Sequence, residues 1–110
     1  MKLPLKLKKR IVEALKPLDP EGVFLFGSYA RGNPGKDSDI DLYVITKDEF
    51  MPQSFTEKNA IYLNVARKLY DIEKEIPVDL IVHTREMNRR FIEMGGGFSR
   101  NIVDEGIRLL

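Results

Sequence analysis

Three short apolar runs decide what this chain can fold into. Val23-Phe24-Leu25-Phe26 is closed off by Gly22 and Gly27. Ile40-Asp41-Leu42-Tyr43-Val44-Ile45 is β-branched and aromatic and ends at Thr46-Lys47-Asp48, and Val78-Asp79-Leu80-Ile81-Val82 follows Pro77. Runs this short, with turn residues at their ends, read as strands rather than buried helices. Around them the period changes. Leu7, Ile11 and Leu15 recur every four residues, which predicts a helix over 5–16 stopped by Pro17. Ser54-Phe55-Thr56-Glu57 has the form of a capping box, and Ile61, Val65, Ala66, Leu69 and Ile72 give its helix an apolar face to about residue 74. Thr84 can cap a helix over 85–94, broken by Gly95-Gly96-Gly97, with Phe91, Ile92 and Met94 expected in the core. A last helix over 98–105 ends at Gly106, read as a C-cap glycine. The order α-β-β-α-β-α-α predicts a small α/β domain, helices packed on a sheet, spanning 1–110 as one unit.

Composition narrows the function classes. The chain has 110 residues, 43% of them hydrophobic and 32% charged, enough for one modest core under a well-solvated surface. It has no cysteine, which excludes a disulfide framework and a Cys-based zinc site and fits a reducing compartment. No apolar run approaches the ~20 residues that span a bilayer. The lysines near the N-terminus are not followed by an apolar core, so no signal peptide is expected and a cytoplasmic location is. The formal net charge of +1 makes no global case for nucleic-acid binding. Charge is uneven, however: Lys2, Lys6, Lys8, Lys9, Arg10 and Lys16 face Glu13 alone, and Arg85, Arg89, Arg90, Arg100 and Arg108 are scattered through the last quarter. Such residues ordinarily form solvated faces. The functional alternative is electrostatic help for a polyanionic substrate.

The segment linking the first two strands, GSYARGNPGKDSDIDL, sets glycines and acids side by side. A P-loop needs G-x-x-x-x-G-K-[ST]. Alignment on Gly35-Lys36 puts Ala30 where the first glycine belongs and Asp37 where the Ser/Thr belongs. A calcium loop starting at Asp37 needs glycine at its sixth position and glutamate at its twelfth. Those positions are Leu42 and Asp48. Both readings fail.

Asp39 and Asp41 are two residues apart, so on an extended chain both carboxylates leave one side while Ile40 and Leu42 leave the other. Carboxylates held this close repel each other unless a cation lies between them, and a hard divalent ion with oxygen ligands resolves the repulsion. Asp79 is flanked by apolar residues and reads as a charge inside a central strand, which calls for a partner or a metal. Each part alone has a plain explanation. A Gly-Ser after a strand is usually a turn, a D-x-D is common at strand starts, and a lone Asp can pair with an arginine. The conjunction is what points to a site. His83, the only histidine, closes the third strand and is assigned a structural place.

Gly27-Ser28-x-x-Arg31-Gly32, then Ser38-Asp39-Ile40-Asp41-Leu42, then Asp79 on a later strand resemble the minimal nucleotidyltransferases of the DNA polymerase β-like superfamily. The resemblance covers nearly the whole chain and implies that superfamily's fold, a small mixed sheet with helices packed on it. It implies that Gly27 and Ser28 meet the nucleotide phosphates, with Arg31 on phosphate or fixing the turn. It implies that Asp39, Asp41 and Asp79 are catalytic and hold two Mg²⁺ ions, with ATP as substrate. Small members of this kind are commonly paired with a HEPN-domain toxin, and active ones act as antitoxins by moving AMP from ATP to a toxin tyrosine. Transfer to a small molecule such as an aminoglycoside, and a non-catalytic antitoxin that acts by binding, are the alternatives.

Overall fold

The computed structural model describes residues 3–110; Lys2 of the basic N-terminal segment lies outside them. Helix α1 (Leu5–Leu15) is followed by a 3₁₀ turn at Lys16–Leu18 that carries Pro17, then strand β1 (Gly22–Phe26). A short helix α2 (Gly27–Arg31) leads through a loop to β2 (Ile40–Ile45). The next helical region is α3 (Phe55–Ala66), a 3₁₀ turn at Arg67–Leu69 and α4 (Tyr70–Glu73). Strand β3 (Val78–His83), helices α5 (Arg85–Met94) and α6 (Gly97–Glu105), and a two-residue strand β4 (Ile107–Arg108) complete the chain. The four strands form one mixed sheet in the order β3-β2-β1-β4, with β2 parallel to β3 and β1 antiparallel to both of its neighbours.

Because side chains alternate along a strand, each strand serves two faces. Val23, Leu25, Ile40, Leu42, Val44 and Val82 join Ile11, Leu15, Val65, Leu69 and Ile72 in the larger core under α1, α3 and α4. Phe26, Tyr43, Ile45 and Ile102, with Phe24, Ile81 and Phe91 beside them, form a second cluster under α5 and α6. The predicted burial of Ile40 and Leu42 holds, since both are fully buried. The caps also hold: Ser54 Oγ accepts from Glu57 N, Glu57 Oε2 accepts from Gln53 N, and Thr84 Oγ1 accepts from Met87 N.

The structure corrects the sequence reading in several places. The helix expected to run to about residue 74 is tightened at Arg67–Leu69, which keeps Leu69 and Ile72 aimed at the core behind Val65. Gly-Ser after β1 begins a helix and not merely a turn. The last segment adds a strand, β4, on the free edge of β1. Gly106 does cap α6, but with φ −67°; it is required by closeness, because a Cβ there would sit 2.3 Å from the Ile102 carbonyl oxygen. Ile92 and Met94 are exposed rather than core, since α5 presents Met87 and Phe91, four residues apart, to the sheet. The arginines are largely absorbed locally. Arg85 bridges Glu21 and Glu49, Arg89 pairs with Glu86 and Glu93, Arg90 pairs with Glu86, and Arg108 donates to the carbonyls of Glu21 and Leu110. Exposed pairs of this kind add little stability each.

β2 lies between β1 and β3 and buries Leu42 completely, so Leu42→Ala should cost about 3 kcal/mol in urea denaturation. Leu5→Ala, at a residue 78% exposed, should stay within about 0.5 kcal/mol. Equal losses at the two positions would contradict this core assignment.

Candidate active site

The strand registers bring the candidate acids to one end of the second face. Asp41 stands opposite Phe26 on β1 and beside Asp79 on β3. Paired residues on adjacent strands project to the same face. Asp41 and Asp79 therefore share one side of the sheet, ahead of Tyr43 and Ile45 on the same strand face, and Asp39 lies just before β2, near enough for its charge to act on Asp41. Asp41 is half-buried and Asp39 and Asp79 are exposed. The exposure of Asp79 corrects the expectation of a charge inside a central strand. β3 is an edge strand, and its apolar neighbours Val78 and Leu80 face the other way, into the larger core.

Charge confirms the proximity. Burial, then the Asp79 carboxylate, then the Asp39 carboxylate push Asp41 up to about 6, against a pull downward from Arg31. Arg31 is exposed on the last turn of α2 and is held in no ion pair among the described residues, so its field reaches the acids without a direct bond. Ser28 is half-buried at the start of α2, and its carbonyl accepts from Asn33 N, which folds the following loop back over the helix.

Gly27 fixes the junction. Its φ is +72°, a conformation that L side chains rarely adopt, and a Cβ there would stand 1.9 Å from Asp41 Oδ2. The bare Cα of Gly27 and the Asp41 carboxylate therefore occupy adjoining space. The resemblance implies a glycine here for approach to a phosphate; closeness to Asp41 already demands one.

Among the described residues, no group of three or more His, Asp or Glu side chains gathers to hold a metal ion by itself. The donor chemistry nonetheless suits Mg²⁺. That ion ordinarily takes one or two carboxylates and completes its shell with substrate phosphates and water, and the repulsion that raises Asp41 is what a cation would relieve. Two grooves, of about 640 Å³ between α1 and α3 and about 310 Å³ between the sheet and α5–α6, are lined by none of Gly27, Ser28, Arg31, Asp39, Asp41 or Asp79.

Behind the acids the same face is closed by a polar lock that sequence reasoning missed. Tyr43 Oη donates to Asn88 Oδ1 at 2.7 Å, so its 2.8 Å contact with His83 is an Nδ1–H donated to the phenol oxygen. Burial pushes the Tyr43 phenol up, and burial with Lys58 pushes His83 down. His83 is thus tied into the structure through Tyr43. Its tie to Tyr43 follows from the parallel register of β2 and β3, which no local motif announces.

Two outcomes test this geometry. Gly27→Ala should cost about 2 kcal/mol, and the cost should fall by about 1 kcal/mol in an Asp41→Ala background, because the steric conflict is with that side chain. The Asp41 carboxyl, raised from 3.8 to about 6, binds its proton more tightly folded than unfolded, so it weakens the fold as pH rises across that interval. In metal-free buffer Asp41→Asn should therefore stabilise the protein by about 1 kcal/mol at pH 7.5, after allowance for solvent screening, and by nothing below pH 4. Thermal melts at the two pH values decide it.

The chain and its fold are similar to those of known proteins. Residues 9–110 match the family described as polymerase beta, nucleotidyltransferase. A Methanocaldococcus jannaschii protein named "Putative protein adenylyltransferase" is 33% identical over 88 residues, 80% of this chain and 83% of that protein. The fold is similar to a chain of a toxin–antitoxin crystal structure with AMP-PNP, at TM-score 0.62 and 23% identity over 94% of this chain and 72% of that one. It is also similar to a chain from the complex of a tri-AMPylated Shewanella oneidensis HEPN toxin with its MNT antitoxin, at TM-score 0.54 and 19% identity over 96% and 70%. At these identities the two structures speak for the fold, and the family rests on the sequence matches: the chain belongs to the polymerase β nucleotidyltransferase family.

Proposed function

We propose that the chain transfers AMP from ATP to a protein hydroxyl, a tyrosine of a HEPN-domain toxin, and so serves as the antitoxin of the pair. The observation that carries this reading is the row Asp39, Asp41 and Asp79 set against Gly27 at the end of β1. Support for the acceptor class comes from the name of the 33%-identical archaeal relative. Support for the partner comes from the toxin–antitoxin assemblies that share the fold.

In this reading the amides of the first turn of α2, which have no partners within the helix, and the Ser28 hydroxyl donate to the phosphate oxygens of ATP. Arg31, exposed on the same helix, adds positive charge over the triphosphate. Asp39 and Asp41 would hold Mg²⁺, which neutralises charge on the phosphates and on the departing pyrophosphate. Asp79, exposed on the edge strand, lies where an acceptor arriving from outside the sheet meets the row of acids, and it takes the hydroxyl proton. The acceptor oxygen forms a bond to the α-phosphorus, the bond from that phosphorus to the bridging oxygen breaks, and pyrophosphate leaves with the electron pair.

The test is transfer of label from α-³²P-ATP to a co-purified HEPN partner. Asp39→Asn and Asp41→Asn should each lower the rate at least about a hundredfold, the scale of several kcal/mol of lost charge stabilisation. Binding of the partner should survive in both. An unmodified protein that labels no acceptor while holding its partner would establish antitoxin action by binding alone and end the enzymatic reading. Label on an aminoglycoside and not on protein would shift the acceptor class.

A further inference from the structure

Phe98, in the first turn of α6, keeps 42% of its surface exposed although it belongs to a chain of rings. Its centroid is 5.3 Å from Phe26, edge to face, and 5.9 Å from Phe91. An exposed aromatic ring is ordinary by itself; the position of this one is not. Phe26 is the register partner of Asp41 and the residue before Gly27. Opposed residues on antiparallel strands have Cβ atoms about 4.5–5.5 Å apart on one face. Phe98 therefore leans on the side chain next to Asp41, on the side of the sheet where α2 begins. The other exposed aromatics lie elsewhere. Phe50 follows the far end of β2, and Phe55, Tyr62 and Tyr70 belong to α3 and α4, which cover the opposite face.

We infer that Phe98 is the platform on which the base of the bound nucleotide stacks, an inference that rests on the nucleotidyl-transfer reading above. A triphosphate held at Ser28 and the acids would leave its ribose and base to extend along the face that Phe26 and Phe98 share with Asp41. Phe26 and Phe91 brace the ring from behind, which lowers the cost of ordering it for a stack. Stacking uses the π-face that every base has, so this platform favours nucleotides over bare phosphate without choosing sharply among bases.

The chain contains no tryptophan, so Phe98→Trp introduces a single indole reporter that keeps an aromatic face. With Mg²⁺ present, ATP should quench its fluorescence saturably, while inorganic tripolyphosphate should displace ATP without quenching. By calorimetry Phe98→Ala should weaken ATP about tenfold, the scale of one lost base stack, and leave tripolyphosphate within twofold. The tripolyphosphate arm also shows that the variant is folded. ATP affinity unchanged in Phe98→Ala, or ATP and tripolyphosphate weakened equally, overturns the platform while nucleotide binding by the unmodified chain stands. Failure of the unmodified chain to bind ATP removes the platform and the transferase reading together, a result distinct from the first two.

Discussion

The contact on which the site depends is between a missing side chain and a charge. Gly27 turns the chain out of β1 with a positive φ, and its bare Cα leaves the space that the Asp41 carboxylate fills. Any larger residue there would displace the carboxylate or the strand end that carries it. One glycine thus ties three things: where β1 stops, where α2 begins, and where the central acid points. Asp41 accepts an unfavourable place as a result, half-buried and between two like charges. A protein selected for stability alone would not keep such an arrangement.

β2 carries the rest of the logic. Its even-numbered residues Ile40, Leu42 and Val44 anchor the larger core, so the strand cannot slip by one residue without exchanging core for site. Its odd-numbered residues run from Asp41 through Tyr43 to Ile45, from charge to a hydrogen-bonded phenol to a buried aliphatic. The Tyr43–His83–Asn88 lock joins β2, β3 and α5 just behind the acids. Rigid support of this kind holds candidate site residues better than loops do, and it places the two paired acids on neighbouring strands.

How far the sequence disclosed this varies with the range of the forces involved. Local rules were legible: the strands at 23–26, 40–45 and 78–82, the Ser54 and Thr84 caps, and the alternation that buries Ile40 and Leu42. The candidate residues Asp39, Asp41 and Gly27 were legible because they are close in sequence and their chemistry is unusual. What stayed hidden depended on pairing. Nothing in Val78–Val82 says that its strand lies at an edge, and so Asp79 was expected inside the sheet. β4, at two residues, has no periodicity to detect and exists because the edge of β1 has free hydrogen-bonding groups. Ile92 and Met94 have apolar chemistry without a core position, since the phase of α5 is set by Met87 and Phe91.

The edge position of Asp79 separates the two sides of the proposed reaction. On one flank of Asp41 stand β1, Gly27 and α2, with Phe98 beyond them; on the other stands β3, whose outer edge pairs with no strand among the described residues. In the proposed transfer the nucleotide occupies the first flank and the acceptor enters from the second, so the two need not compete for space. A central-strand Asp79 would have forced both through one opening above the sheet. In that proposal a hydroxyl on the surface of a folded protein reaches Asp79 and Asp41 from the edge of β3. The grooves of about 640 and 310 Å³ are lined by none of these acids.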